Sequence, residues 1–315
     1  KELLRSLRLT QPPRILVDWP PADFTKNSRY GERDGYDMRP VNAVANAFHY
    51  HTLNLMSRIA QVLQKQEDAR RWQERAERVR DAFNRVFLDP GRGYYIDGEG
   101  SEHSALHANF FPLAFGLVPE ERVAAVVQFI KSRGMACSVY GAQHLLDALY
   151  LAGEADYGLS LLTATHDRSW AHMIYDMKST ITTEAWDNKY KENQDWNHAW
   201  GAAPANIIAR RLMGIEPLAA GFKQVRIKPQ VGALAEAQIT QPTLRGPIKV
   251  RVRQSEEFWQ AWIDIPVHMT AEIVVPGRAI ESVLENGRKL TRDRNCRHER
   301  DGVVIPVSGD RKSVV

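Results

Sequence analysis

Residues 169–201 read SWAHMIYDMKSTITTEAWDNKYKENQDWNHAWG and hold four of the chain's eight tryptophans, Trp170, Trp186, Trp196 and Trp200. Glu184, Asp187, Glu192, Asp195, His172 and His198 are interspersed with them. Indole faces stack on the apolar C–H faces of a sugar ring, while carboxylates and imidazoles bind its hydroxyls and transfer protons. The mixture therefore points to a carbohydrate site. The alternative is that the indoles are core residues at a helix junction and the acids are solvated. Glycoside hydrolysis needs two carboxyls across the scissile bond, one to protonate the leaving oxygen and one to activate water or attack directly. Glu184 is the candidate for the second role. It lies between the run Thr180, Ile181, Thr182, Thr183 and the indole of Trp186, a setting that can hold its carboxylate stiffly.

A second chemistry-bearing stretch precedes it. Residues 10–40, TQPPRILVDWPPADFTKNSRYGERDGYDMRP, are rich in Pro, Gly and Asp and read as one irregular loop carrying Asp18, Trp19, Glu32, Arg33, Asp34, Tyr36 and Asp37. Loops longer than about 12–15 residues are uncommon and are usually functional or disordered. A functional loop is expected here, with a solvated connection pinned at Trp19 as the alternative.

Composition narrows the classes. The chain has 315 residues, 43% hydrophobic and 25% charged, which is ordinary globular material and long enough for two domains. Its 42 basic and 38 acidic residues are interspersed and leave a net charge of only +4, so no nucleic-acid footprint is expected. No apolar run approaches the ~20 residues of a membrane span. Cys137 and Cys296 sit in no metal-ligand spacing, and free thiols are expected. Phosphate-cradling glycine motifs are absent, which counts against a nucleotide enzyme. The chain starts at Lys1 with a segment, 1–9, that reads as a helix without a cap. That is the expectation for a piece of a longer polypeptide.

The elements that must position these residues follow in order. Apolar spacing predicts helices over 41–66, 67–87, 103–117, 119–132, 140–151, 154–165 and 196–212. The first carries Val44, Ala47, Phe48, His51, Leu55, Ile59 and Leu63 on one face. The third and fifth are apolar nearly all round, and the helices between them are amphipathic. That alternation suits an inner and an outer ring of paired helices better than a four-helix bundle. From Ile215 the period changes to two: segments 223–229, 248–253, 258–266, 271–277 and 303–307 alternate apolar and polar residues between Pro/Gly turns. An antiparallel β-sandwich or jelly roll is expected, with the domains divided as 1–216 and 217–315.

TTEAWD (182–187), WNHAWGA (196–202) and RRLMGIEPLAAGFKQVRIKPQ, with LVDWP, RDGYDM and VNAVANAFHY, together resemble the α-L-rhamnosidases of glycoside hydrolase family 78. The resemblance runs from Leu16 to about Val252. It implies an (α/α)6 toroid, of which only part is present here, followed by a small β-sandwich. It also implies inverting hydrolysis of terminal α-L-rhamnosyl groups of a rhamnose-containing glycan or glycoside. By the same resemblance Glu184 falls on the general base, Trp19 on an aromatic packed against rhamnose, and His198 on a histidine that binds a hydroxyl. Asp18, Trp186 and Tyr140 are expected to line the pocket. An inverting carboxylate mechanism calls for no metal or other cofactor. One departure matters: the family's general acid lies in an acidic, arginine-containing motif upstream of the DW pair, and nothing before Asp18 carries it. The expectation is a portion of an enzyme that holds the base and needs a missing N-terminal part of the same protein. Another (α/α) toroid glycosidase and a non-catalytic sugar-binding module remain the competing readings.

Overall fold

A computed structural model describes residues 16–19, 31–276, 283–290, 296–299, 302–309 and 311–314. The helix expected over 1–9 lies outside them. The chain forms two compact units, Lys1–Ala152 with Leu161–Ala203, and Gly153–Ser160 with Pro204–Val315.

Eight α-helices occur among the described residues. They are α1 (Ala43–Val62), α2 (Gln66–Phe87), α3 (His107–Ala114), α4 (Val123–Arg133), α5 (Val139–Leu151), α6 (Ala155–Leu162), α7 (Trp170–Tyr175) and α8 (Ala203–Ile207). None is both long and apolar enough to cross a membrane. α1 starts where Asn42 caps it, its side chain accepting from the N–H of Ala45 at 3.0 Å. α3 is the inner helix its composition predicts, buried from His107 to Leu113. It starts four residues later than expected because its approach is spent on side-chain anchors. The N–H of Ala105 donates to Asp97 at 2.6 Å and that of Leu106 to Asp34 at 2.7 Å, placing carboxylates at the helix's positive end. α5 is capped by Ser138, whose Oγ accepts from the N–H groups of Tyr140 and Gly141.

Two helical expectations are corrected. The stripe expected on α1 is buried only at its start: Val44 and Ala47 are buried, with Ala43, Leu53, Ser57 and Ala60, while Phe48, Leu55, Ile59 and Leu63 are 38–60% exposed. Small residues allow closer approach of α1 and α2, where Ser57 Oγ donates to the carbonyl of Ala69 at 2.9 Å. The helix expected over 196–212 begins only with a 3-10 turn at Ala199–Ala202, followed by α8 and a π-helical turn at Ile208–Leu212. The N–H of His198 is used elsewhere, donating to the carbonyl of Thr182 at 2.8 Å.

The second unit is built from two sheets. One has the order β1 (Ile215–Pro217), β2 (Gln224–Ile227), β6 (Thr270–Pro276), β10 (Gly302–Ser308), β9 (Arg297–Glu299). The other runs β3 (Glu236–Gln241), β4 (Ile248–Gln254), β5 (Trp259–Asp264), β11 (Arg311–Val314), β7 (Leu284–Glu285), β8 (Arg288–Lys289). Pairing is antiparallel except between β2 and β6, which run parallel. Alternation does what period two demands: Ile248, Val250 and Val252 of β4 and Ala261 and Ile263 of β5 are buried, and the residues between them are not. Gly214 turns the chain into β1 at φ 68°, where a Cβ would meet the carbonyl of Lys228. Both cysteines are free thiols, Cys137 buried.

Candidate active site

The site begins at the capped end of α5. Asp18 lies buried there. One of its oxygens accepts from the N–H of Ser138 at 2.9 Å and lies 2.7 Å from His107 Nε2; the other accepts from Ser138 Oγ and, at 2.9 Å, from the N–H of Trp19. Charge-assisted bonds of this kind are the strong ones, and α5 adds its N-terminal dipole. The approach is close enough that a Cβ on Gly141 would come within 2.8 Å of the Asp18 carboxylate. Arg33 Nε donates to the Asp18 carbonyl at 3.0 Å. The backbone around Asp18 is thereby fixed, and Trp19 is the residue it delivers.

The other wall is the loop 182–198, which closes on itself. Thr182 and His198 are joined twice, through His198 N–H to the Thr182 carbonyl and Thr182 Oγ1 to the His198 carbonyl at 2.9 Å. The N–H of Glu184 donates to the carbonyl of Asp195 at 2.9 Å, and Gln194 Oε1 accepts from the N–H of Ala185. Gly201 passes so close beneath that a Cβ would sit 2.6 Å from the Thr183 carbonyl. Further out, His172 is held between Asp176 at 2.8 Å and Asp187 at 2.6 Å, and Lys189 pairs with Asp167. Burial would lower the pKa of His172, but hydrogen bonds to the two aspartates raise it.

Glu184 is where the walls meet. Trp19 Nε1 donates to its Oε1 at 3.1 Å, the N–H of Asp195 to its Oε2 at 3.0 Å, and Lys191 Nζ lies 2.9 Å from Oε2. Trp19 and Glu184 are 165 positions apart in the chain. Burial alone would raise the pKa of Glu184. The Asp195 N–H, Lys191 and Trp19 outweigh it, and the carboxyl is held below its ordinary value. A buried but ionised carboxylate suits proton acceptance from water.

Beside it stands an aromatic group. Tyr140 Oη is 3.2 Å from His198 Nε2, and the Tyr140 and Trp200 rings meet edge to face at 4.9 Å. Burial, then the Glu184 and Asp18 charges, push the Tyr140 phenol up to about 12, so it stays protonated. His198 Nδ1 is buried with no hydrogen-bond partner among the described residues.

The structure thus brings Glu184 together with Trp19, and Tyr140 together with His198. It sets the other two candidates behind them. Trp186 is 0% exposed, packs at 5.0 Å on Trp170, and donates its Nε1–H to the Cys137 carbonyl at 2.7 Å. A ring without exposed surface cannot stack on a sugar. Asp18 is enclosed by its donors and positions Trp19 rather than facing a pocket. Trp196 and Trp200 remain in the open, 46% and 68% exposed. Sequence reasoning missed Lys191, Gln194, Ser138 and His107. The first two carry no signal in NKYKENQD, whereas Ser138, as a capping residue before an apolar helix, could have been read.

Comparison with known proteins identifies the two domains. Residues 8–212 match the bacterial alpha-L-rhamnosidase 6 hairpin glycosidase domain, and 214–289 match the bacterial alpha-L-rhamnosidase C-terminal domain. An alpha-L-rhamnosidase of Streptomyces avermitilis is 28% identical over 259 residues, 77% of this chain and 25% of that protein. One from Formosa agariphila is 23% identical over 286 residues, 86% of this chain and 29% of that protein. Among solved structures, the S. avermitilis alpha-L-rhamnosidase complexed with L-rhamnose superposes with a TM-score of 0.73 at 24% identity, covering 91% of this chain and 28% of that one. The alpha-L-rhamnosidase from Dictyoglumus thermophilum gives 0.72 at 21% identity, covering 85% and 31%. At such identities the likeness speaks for the fold, a six-hairpin glycosidase domain followed by a β domain. The chain spans about a quarter of the length of the curated relatives it matches. With the family model covering most of its residues and both domain types in the same order, this chain belongs to the bacterial α-L-rhamnosidase family.

Proposed function

We propose that the protein containing this chain hydrolyses terminal α-L-rhamnosyl groups with inversion, and that Glu184 is its general base. Residues 1–216 contribute to the catalytic helical domain and 217–315 form the β domain. Glu184 takes a proton from the water that attacks the anomeric carbon. Trp19, whose N–H orients one oxygen of Glu184, offers its ring to the apolar side of the sugar, and the methyl group of rhamnose suits it. Tyr140 and His198 bind hydroxyls. Asp18 and Trp186 act from behind, as supports for Trp19 and for the loop. The general acid, set about 6.5–9.5 Å from the base in an inverting enzyme, comes from a part of the protein outside this chain.

The observation that carries the reading is the set of three donors on Glu184, which keeps a 7% exposed carboxylate ionised. The test is Glu184→Gln in the full-length protein, assayed with p-nitrophenyl α-L-rhamnoside. Turnover should fall by two to four orders of magnitude with L-rhamnose binding retained, and proton NMR of the wild-type reaction should show β-L-rhamnose released first. A folded variant that keeps its turnover would remove Glu184 from the mechanism. A wild type that instead cleaves other nitrophenyl glycosides would favour the competing toroid-glycosidase reading.

A further inference from the structure

The outward face of the six-stranded sheet carries an aromatic residue that the domain's core does not need. Inward positions on β4 and β5 already supply Ile248, Val250, Val252, Ala261 and Ile263, all at most 1% exposed. The opposite face of such a sheet ordinarily meets water and is polar. Here the register sets Gln238, Arg251 and Trp262 in one row across β3, β4 and β5, with Thr240, Lys249 and Asp264 in the next. These six line a groove of about 550 Å³, within the range of small-ligand sites.

The indole is held in place. The Arg251 guanidinium lies 5.2 Å from the Trp262 ring centre and is itself pinned by Glu236, Nη2 to Oε1 at 2.7 Å. Arg253 draws on the same glutamate, Nε to Oε2 at 3.5 Å. Glu236 therefore serves two guanidiniums, and the face carries Lys249, Arg251 and Arg253 against Glu236 and Asp264. Lys249, diagonal to Trp262 across the strand pair, forms no ion pair among the described residues. The groove is thus cationic, with a rigid aromatic wall beside an unengaged ammonium and amide, hydroxyl and carboxylate groups along the floor.

We propose that this groove is a second glycan site, distinct from Glu184, that takes uronate-bearing oligosaccharide. A sugar ring stacks on Trp262, its carboxylate meets Lys249, and Gln238, Thr240 and Asp264 bind hydroxyls. The cationic excess selects an acidic glycan over a neutral one. Choosing a sugar among possible anions rests on the glycosidase reading above, but the site is tested by binding alone.

Oligogalacturonate is titrated calorimetrically into the 315-residue chain at low and at moderate salt, with maltohexaose as the neutral control. Trp262→Ala should weaken oligogalacturonate binding at least tenfold, and Trp262→Phe should restore most of it. Lys249→Met should weaken it several-fold and flatten its salt dependence. Maltohexaose should bind at least tenfold less tightly than oligogalacturonate. Circular dichroism establishes that the variants are folded. Glu184→Gln should bind oligogalacturonate as the wild type does. If the full-length wild type shows no turnover of p-nitrophenyl α-L-rhamnoside while Trp262→Ala abolishes oligogalacturonate binding, the glycosidase reading fails and the sheet site stands. No binding at millimolar oligogalacturonate, equal binding of maltohexaose, or wild-type affinity in Trp262→Ala each overturns the proposal.

Discussion

Two segments of the helical unit look alike in sequence and end differently. GERDGYD, 31–37, and the loop 184–195 both mix acids with aromatic residues, and both lie beside Asp18 or Trp19. In the first, Glu32 and Asp34 are buried and Asp37 is tied down nearer the surface. Asp34 pairs with Arg133, Nε to Oδ2 at 2.9 Å, and accepts from the N–H of Leu106. Asp37 accepts from Ser101 Oγ at 2.8 Å and pairs with Arg39 at 2.7 Å. Tyr36 Oη donates to the Asp97 carbonyl at 2.5 Å, and Glu32 is sealed. These residues staple helices together. In the second, Trp19, the Asp195 N–H and Lys191 converge on Glu184, and Trp196 and Trp200 stay exposed. The first spends Asp34 and Asp37 on arginines, a serine and a backbone N–H, whereas the second gathers an indole, a backbone N–H and an ammonium on one carboxylate.

The comparison breaks most easily at Glu184. Its replacement by Gln should cost about 10²–10⁴ in turnover, equivalent to about 3–5 kcal/mol of barrier, while the protein stays folded. The opposite signature is expected of Asp34→Asn. Asn tolerates the left-handed backbone at this position, φ 51°, so the change isolates the charge. Loss of the Arg133 pair, whose arginine is partly exposed, should lower stability by about 2 kcal/mol in urea unfolding, with kcat intact in the folded fraction. A loss below about 0.5 kcal/mol would mean the segment is no staple.

How much of this was legible in the sequence follows from what each signal measures. Periodicity locates α2 and α5 to within a residue or two because their apolar spacing is regular. It misjudges the later turns of α1 because it weighs large apolar residues, whereas there the helix buries Ser57 and Ala60. It misses β3, EAQITQ, whose residues are exposed or half-buried on a strand at the sheet's edge. The parallel pairing of β2 with β6 joins segments 46 positions apart, Gln224 with Thr270, and leaves no local trace. The meeting of Trp19 and Glu184 is longer-range still: sequence setting singles out each residue, and the family resemblance adds a role for both, but neither shows the hydrogen bond that joins them. Composition identified 169–201 but could not separate its indoles. Trp170 and Trp186 pack as core, and only the fold tells them from Trp196 and Trp200.

Glu32 sharpens the comparison through pH. Burial raises its carboxyl to about 8, against the lowering effect of Arg168, whose Nε is 3.8 Å away, and neither oxygen has a hydrogen-bond partner among the described residues. A carboxyl with a raised folded pKa is bound to a proton that the unfolded chain releases earlier. Its stabilising share is complete below the unfolded value and is lost as pH rises toward about 8. Stability should therefore decline across that window by up to about 1.4 kcal/mol per pH unit. Glu32→Gln should flatten the decline. An unchanged slope of unfolding free energy against pH in the variant would show that Glu32 is ionised when folded.

The smallest effect separates the donors of Glu184 from one another. Trp19 and the Asp195 N–H are fixed by backbone, whereas Lys191 reaches the carboxylate on a flexible stem and supplies charge as well as a hydrogen bond. Replacing it with Met keeps the stem and removes the ammonium, so the Glu184 pKa should rise from its lowered value. A general base works only when ionised, so kcat/KM falls as pH drops through that pKa. In Lys191→Met the acid limb of the kcat/KM profile should move to higher pH, with the plateau above it nearly unchanged. Folding is linked with the same sign: Glu184's depressed pKa stabilises the fold above its unfolded value and loses that effect as pH falls, so the variant should also lose part of its advantage at neutral pH. A limb that stays in place while the plateau drops would assign Lys191 to sugar binding. In that case the two fixed donors hold Glu184 ionised by themselves.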